Sequence, residues 1–391
     1  MTKLHFNYKD TFRALRLGFS AKKIWMMSLG LLFGFAGYTI ITYVAYITAG
    51  VDLLTVWQQF RLLPFPSPLD YPFPWFAWVL YGVGVAFLGA CVLITGTAVS
   101  RVCYEQLKGD EFYESREAFK FAFKNAGSVI LSPLLILAFV AIIVVVGLAL
   151  SGIGTIPYVG EIVVGIMSPV AFIASLFIVY LLVVFAATLA MGPSVVGATR
   201  NDTFDTLFEV FSCVNEQPGR LFWYTATVAV LAKVGSFVLG WAASVAGRIG
   251  YVILSSFMGG KMADAMTNAS FYFKLSPPEW WPALLQQMFV TQANFYGMPQ
   301  MYLPGDYISI GWSSDIGSLL IGITLYLAAI MVAAYGLTVW FCGMTLNYAV
   351  LANKKDNKNI LEIPDDLAEM IEPVVTLEDV RPPAAECPET K

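Results

Sequence analysis

Long apolar runs alternate with short polar segments along most of this chain. Six of the runs exceed the roughly 20 residues that an α-helix needs to cross the hydrocarbon layer of a membrane. They cover residues 24–49, 75–99, 128–150, 162–191, 221–247 and 316–347. Barrel strands need only about 9–11 residues, so runs of this length exclude them. The pattern predicts an all-α integral membrane protein with six transmembrane helices.

A second pattern, with apolar residues at every third or fourth position, precedes the first, third and fifth predicted spans. This period is typical of a helix that lies on a surface with one apolar face. The three segments resemble one another: Asp-Thr-Phe-Arg-Ala-Leu at 10–15 parallels Asp-Thr-Phe-Asp-Thr-Leu at 202–207, and 117–122 is a looser copy. We interpret this as three repeated units of amphipathic helix plus transmembrane hairpin; the alternative is chance similarity among Phe-rich segments. The units cover about 8–106, 112–198 and 200–350.

The Asp/Glu-x-Phe amphipathic helix ahead of alternate spans gives the layout over roughly 8–350 a resemblance to known families. It resembles six-helix bacterial membrane families of largely unknown function, which are similar to the membrane domain attached to some glycerophosphodiester phosphodiesterases. The resemblance implies the six-helix fold and supplies no catalytic residues. The chain shows no phosphodiesterase domain, so that activity is not implied.

Lysine and arginine lie mainly on one side of the predicted spans. Segments 1–23, 100–127, 192–220 and 351–361 hold 16 of them, whereas 50–74, 151–161 and 248–315 hold 4. Because basic residues are retained on the cytoplasmic side, both termini are predicted to be cytoplasmic. We expect a multi-pass protein of the bacterial inner membrane.

Composition excludes several classes of chemistry. The chain has 391 residues, of which 58% are hydrophobic and 13% charged, against about 25% charged in soluble domains. The single histidine, His5, excludes a His-based triad, a His-rich metal site and intramembrane haem ligation. The five cysteines show no CxxC spacing, and no phosphate-binding loop or dinucleotide motif is present. We expect no cofactor, no metal, no nucleic-acid partner and no enzymatic activity.

Lys233 is the most conspicuous polar residue because it falls in the middle of the fifth predicted span. A charge at that depth is costly, so we expect it to face the bundle interior. It would either contact a substrate, ion or lipid headgroup, or form a structural pair with a carboxylate or with helix carbonyls. The candidate acids are Glu161, the only acid in 128–191, and Asp315, at the start of the sixth span.

Charged residues distinguish the three amphipathic helices. The basic residues of the first two include Arg13, Arg116, Lys120 and Lys124. They suit anionic lipid headgroups, or are ordinary cytoplasmic positive charge. The third helix instead carries Asp205 and Glu209, which favour a protein contact. We expect these acids to lie opposite Arg13, Lys120 or Lys124 in a ring of three helices held mainly by packing of their Phe stripes.

Two further segments are candidates for partner binding. The outer loop 248–315 is rich in aromatic residues, which suit either a belt on the bilayer surface or a docking surface. The tail 351–391 is acidic, and within it Leu367, Met370 and Ile371 form one face of a short predicted helix. The alternative for the tail is a disordered, solvated segment.

Two functional hypotheses follow from these observations. The first is a non-enzymatic membrane scaffold or accessory subunit of a larger membrane complex, working in the lipid bilayer with membrane-protein partners. The alternative is a transporter or lipid-handling protein that uses Lys233 and a cavity among the hairpins. Transporter repeats usually occur as two halves, so three hairpins favour the first hypothesis.

Overall fold

The computed structural model describes residues 6–60, 62, 64–66, 73–272, 308, 311–356 and 360–362, and all regular elements within these ranges are helical. The helices are α1 Tyr8–Thr11, α2 Ala14–Gly18, α3 Ala21–Thr48, α4 Leu53–Phe60, α5 Trp75–Lys108, α6 Ser115–Lys124, α7 Ala126–Ile153, α8 Val159–Thr199, α9 Thr203–Glu216, α10 Pro218–Met258, α11 Gly260–Tyr272 and α12 Trp312–Asp356, followed by a 3-10 turn at Ile360–Glu362. Six of them (α3, α5, α7, α8, α10 and α12) are long and apolar enough to span a membrane. The prediction of a helical fold with six helices of membrane-spanning length and apolarity is confirmed for the described residues.

The long helices extend past the predicted apolar runs at one end of the bundle. Where the run ended at residue 99, α5 continues to Lys108, and α12 likewise continues from 347 to Asp356. The polar residues in these extensions have partners inside the protein. Arg101 forms an ion pair with Glu105, for example. Hydropathy underestimates such helices because it scores paired charges as if they faced lipid.

The predicted outer loop 248–315 needs correction at its beginning. There α10 continues to Met258, and α11 then packs against α12. The side-chain oxygen of Asn268 in α11 accepts a hydrogen bond of 2.9 Å from the backbone N–H of Ile308. Most of the aromatic part of the loop, and the tail residues Leu367, Met370 and Ile371, lie outside the described residues.

Consecutive long helices pack as three hairpins: α3 with α5, α7 with α8, and α10 with α12. The second helices α5, α8 and α12 also contact one another, through small residues that allow close approach. The Ser194 hydroxyl lies 3.3 Å from the Ser100 hydroxyl and 3.3 Å from the carbonyl oxygen of Phe341. Gly96 lies against the Phe341 ring, and Gly197 lies against Ser100. These contacts close the centre of the bundle at this end.

The amphipathic helices surround the closed end in a cyclic order. The α6 helix packs on α5 of the hairpin before it, α9 packs on α8 and α7 of the hairpin before it, and α2 packs on α12 and α10 of the last hairpin. The first helix thereby completes a circle of contacts. We call this part of the molecule the ring end.

The most deeply buried positions of the amphipathic helices are mostly occupied by small side chains. The buried pairs, each four residues apart, are Ala14 and Gly18, Ala118 and Ala122, and Thr206 and Val210. Phe12, Phe123 and Phe208 are instead more than half exposed. The predicted stripes are therefore divided: Phe119 and Phe211 are partly buried and pack against the core, whereas Phe12 and Phe208 lie mainly outside it.

Burial is concentrated at the ring end. Every residue in 95–105, 191–198 and 341–352 is buried, whereas most side chains in 142–179 of the second hairpin are exposed. A protein core thus forms where the amphipathic helices lie. Away from it, the long helices present apolar surface of the kind that lipid covers.

Candidate functional site at the ring end

Lys233 is exposed on α10, so the prediction that it is buried inside the bundle is wrong. The position of Lys233 along the bundle follows from Gly235, two residues later, which packs against Leu15 of α2 and Tyr335 of α12. Lys233 therefore lies level with an amphipathic helix, near the ring end. Depth in the span does not decide which face of a helix a residue occupies: Gly235 faces α2 and α12, whereas Lys233, two residues earlier, lies on a different face of α10.

The two acids considered as partners lie far from Lys233. The residue three positions after Lys233 packs against Gly336 of α12. Asp315 precedes Gly336 by 21 residues, roughly 31 Å along the helix, and its carboxylate accepts a hydrogen bond from the Asn268 amide at 3.5 Å. Glu161 is exposed in the first turn of α8, at the opposite end of that helix from the ring. Lys233 therefore pairs with neither Asp315 nor Glu161.

The charged residues of the first and third amphipathic helices have partners other than those expected. Glu209 lies 3.5 Å from Lys355, so it joins α9 to the end of α12 instead of facing a basic amphipathic helix. Arg13 lies 3.5 Å from Asp10, three residues earlier. Asp205 is exposed, and the described ion pairs do not include it. The expected ring of opposite charges is therefore not how these helices are held.

A buried lysine on α3, which the sequence reasoning missed, connects that helix to three others at the ring end. Lys23 is 1% exposed. Its ammonium donates to the Leu17 carbonyl at 2.6 Å and to the Gln106 side chain at 2.8 Å, and lies 3.8 Å from the Cys342 sulfur. An ammonium has three protons to donate, so these contacts account for all of them. Lys23 had been counted only as one of the basic residues that set the topology.

A buried ion pair lies on α5, close in sequence to Gln106, the residue of α5 that Lys23 contacts. Arg101 and Glu105 are both buried and pair with each other. The guanidinium also donates to the Gly197 carbonyl at 3.4 Å and lies 5.3 Å from the ring centre of Tyr104. Opposite charges four residues apart on a helix were a visible signal. The sequence reasoning assigned Arg101 to cytoplasmic charge and did not consider that pairing.

A pocket of about 390 Å³ opens beside this ion pair, between α6 and the end of α8. Its lining comprises Tyr113, Glu117, Lys120, Phe121, Lys124, Asn125 and Arg200. Two of the basic residues singled out from the sequence, Lys120 and Lys124, are thus brought together with Arg200. Arg116 is exposed on the same helix but does not line the pocket.

Local structure fixes the shape of this pocket. Lys120 and Lys124 share one face of α6 because they are four residues apart. The Asn125 amide donates to the Phe121 carbonyl at 2.9 Å and so closes the end of α6. Arg200 ends α8 in the left-handed conformation, with φ 57°, and its guanidinium lies 5.7 Å from the Phe121 ring centre.

Phe121 and Tyr113 connect the pocket to the protein interior. The guanidinium of Arg101 lies 4.8 Å from the Phe121 ring centre, so two arginines contact the same ring. Burial raises the pKa of the Tyr113 hydroxyl above its ordinary value. The pocket thus combines aromatic side chains, Phe121 and Tyr113, with the cationic side chains Lys120, Lys124 and Arg200.

The ring end therefore holds two polar centres of different character. Lys23, Arg101 and Glu105 are bonded within the chain and hold helices together, whereas the pocket presents cationic groups to the outside. Among the described residues, no cluster of three or more His, Cys, Asp or Glu could hold a metal ion. Comparison of the chain with family models, curated proteins and solved structures gave no match.

Proposed function

We propose that this chain is a non-enzymatic membrane scaffold or accessory subunit of a larger membrane complex. The observation that carries the proposal is the closed ring end, where α5, α8 and α12 meet through Ser100, Ser194 and Phe341. Because the charged groups inside this core are bonded to other groups of the chain, the core is closed and does not form the entrance of a channel. Such a closed core suits a protein that holds others in place.

The scaffold is built from three repeated units. The cyclic packing of the amphipathic helices supports this, since each lies against the hairpin of the neighbouring unit. The buried pair of small residues on each amphipathic helix supports it as well. Three equivalent hairpins around a closed centre would offer several similar lateral surfaces to partners.

The ring end faces the cytoplasm in this proposal, and the membrane is the bacterial inner membrane. The support is the excess of lysine and arginine in the segments that border the ring end, since such residues are retained on the cytoplasmic side. The acidic tail 363–391 would then extend into the cytoplasm. There its apolar residues would be free to bind another subunit.

The experiment is gentle solubilisation of three forms of the protein from membranes, followed by identification of what co-purifies. The forms are the full chain, a deletion of 363–391, and Leu367→Ser/Met370→Ser/Ile371→Ser, which keeps the length and charge of the tail. We expect a stoichiometric protein partner with the full chain and its loss from both altered forms. All three should insert equally into the membrane.

The opposite result is also well defined. A full chain that purifies alone, with bound lipid and with the same complex size as the deletion, would contradict the scaffold proposal. It would favour the second candidate, a lipid-handling protein. One observation supports that candidate: an apolar groove of about 490 Å³ between α7 and α8, wide enough for acyl chains.

A further inference from the structure

The pocket between α6 and the end of α8 carries a net positive charge. Its lining contains three cationic side chains, Lys120, Lys124 and Arg200, and one carboxylate, Glu117. Like charges four residues apart on a helix repel each other, so Lys120 and Lys124 destabilise α6 when no counter-charge lies between them. An anion in the pocket would relieve this repulsion.

The donor groups suit a tetrahedral oxyanion. A guanidinium offers paired N–H groups that match two phosphate oxygens, and ammonium groups act as point charges on the others. Tyr113 and Asn125 add neutral donors to the same lining. The contact of Arg200 with the Phe121 ring orients its guanidinium before any ligand arrives. A volume of about 390 Å³ lies within the range of small-ligand sites.

We propose that this pocket binds a phosphate group, carried by an anionic phospholipid or present as free phosphate. The surroundings suit the phospholipid source, because two phenylalanines beside the pocket are exposed. Phe123 on α6 is 66% exposed, and Phe112, which precedes α6, is 90% exposed. Acyl chains would lie along these rings while the headgroup occupies the pocket. This site is independent of the scaffold function, since a partner subunit is not needed for it.

The test is binding of three probes to the purified full chain in detergent. The probes are phosphatidylglycerol, zwitterionic phosphatidylcholine and inorganic phosphate, followed by native mass spectrometry and by the shift in thermal unfolding. The pocket variants are Lys120→Gln/Lys124→Gln and Arg200→Asn, because Asn tolerates the left-handed backbone at 200. The matched control, Arg16→Gln/Arg116→Gln, removes two exposed charges that do not line the pocket.

For the phospholipid source, we expect phosphatidylglycerol to bind more tightly than phosphatidylcholine. The double pocket variant should weaken that binding by at least about tenfold, since each basic group near an anionic headgroup contributes substantially. The control should bind as the parent does. For the free anion, inorganic phosphate alone should raise the unfolding temperature, and the pocket variants should abolish the rise. Equal binding of all probes by the parent, pocket and control proteins would overturn the proposal.

Discussion

At the scale of the residue, Lys23 and Arg101 are buried where water cannot solvate their charges. Such burial is tolerated because hydrogen bonds and an ion pair replace the lost water. Both belong to basic segments that predict the membrane topology from sequence alone, but the sequence does not show that these two residues are buried. Lys233 shows the reverse: it is flanked by apolar residues in sequence, yet it is exposed. Neighbours in sequence do not decide burial, because the level at which helices pack depends on contacts remote in the chain.

The ion pair on α5 gives a prediction at this scale. Arg101→Leu should destabilise the protein by about 3–5 kcal/mol, because it leaves the Glu105 carboxylate buried without its partner. Arg101→Leu/Glu105→Leu should recover much of that loss, since no buried charge remains. Thermal unfolding in one detergent measures both, with exposed Arg116→Gln as the control. A single variant that is no less stable than the double variant would show that the pair is not what stabilises this region.

At the scale of the element, the periodicity of the amphipathic segments predicts three helices ahead of alternate spans, and the structure divides the first of them into α1 and α2. The periodicity could not show which face packs against the bundle, because Phe and small residues alternate around these helices. The structure buries Ala14 and Gly18 of α2 and turns Phe12 outward. The periodicity also could not show that α2 packs on the last hairpin. An apolar stripe indicates that one face of a helix is covered, but it does not indicate which helix covers that face.

The close contact of α2 with α12 gives the second prediction. A Cβ atom at Gly18 would lie 2.7 Å from a methyl of Val339 and 2.9 Å from its Cα, which cannot move without shifting α12. Gly18→Ala should therefore destabilise the protein by about 1–3 kcal/mol, the usual cost of overpacking. Gly127→Ala is the matched control, because open space surrounds Gly127. Thermal unfolding of the two variants should separate them; equal stability would mean that α2 is not held tightly against α12.

At the scale of the whole molecule, the six long helices place the ring end and the α7–α8 turn at opposite ends of the bundle. The number of spans and their order follow from hydropathy alone, which is why this level of the fold was predictable. The pocket was only partly so. Lys120 and Lys124 were identified from the sequence. Arg200 joins them because the chain turns at the end of α8, where Arg200 has a positive φ, and the sequence pattern does not predict that turn.

Orientation in the membrane supplies the third prediction. In intact cells, a maleimide that does not cross membranes should label Thr155→Cys in the α7–α8 turn. It should label Arg116→Cys on α6 only after permeabilisation, because basic segments are retained in the cytoplasm. Both positions are exposed, and the parent chain gives the background from its native cysteines. Labelling of both from the same side would contradict the bundle, and labelling in the reverse order would contradict its orientation.

The circle of contacts at the ring end joins the first and last parts of the chain to be synthesised. The Thr11 hydroxyl donates to the Asn347 side chain at 3.1 Å, across 336 residues of sequence. At roughly 5–20 residues per second, a ribosome completes α12 roughly 20–70 s after α1 emerges. Throughout that interval the small-residue face of α2 has no hairpin to pack on. The ring is therefore a late event in biogenesis, and a chain released before α12 carries an uncovered helix by which quality-control proteases could distinguish it from the finished protein.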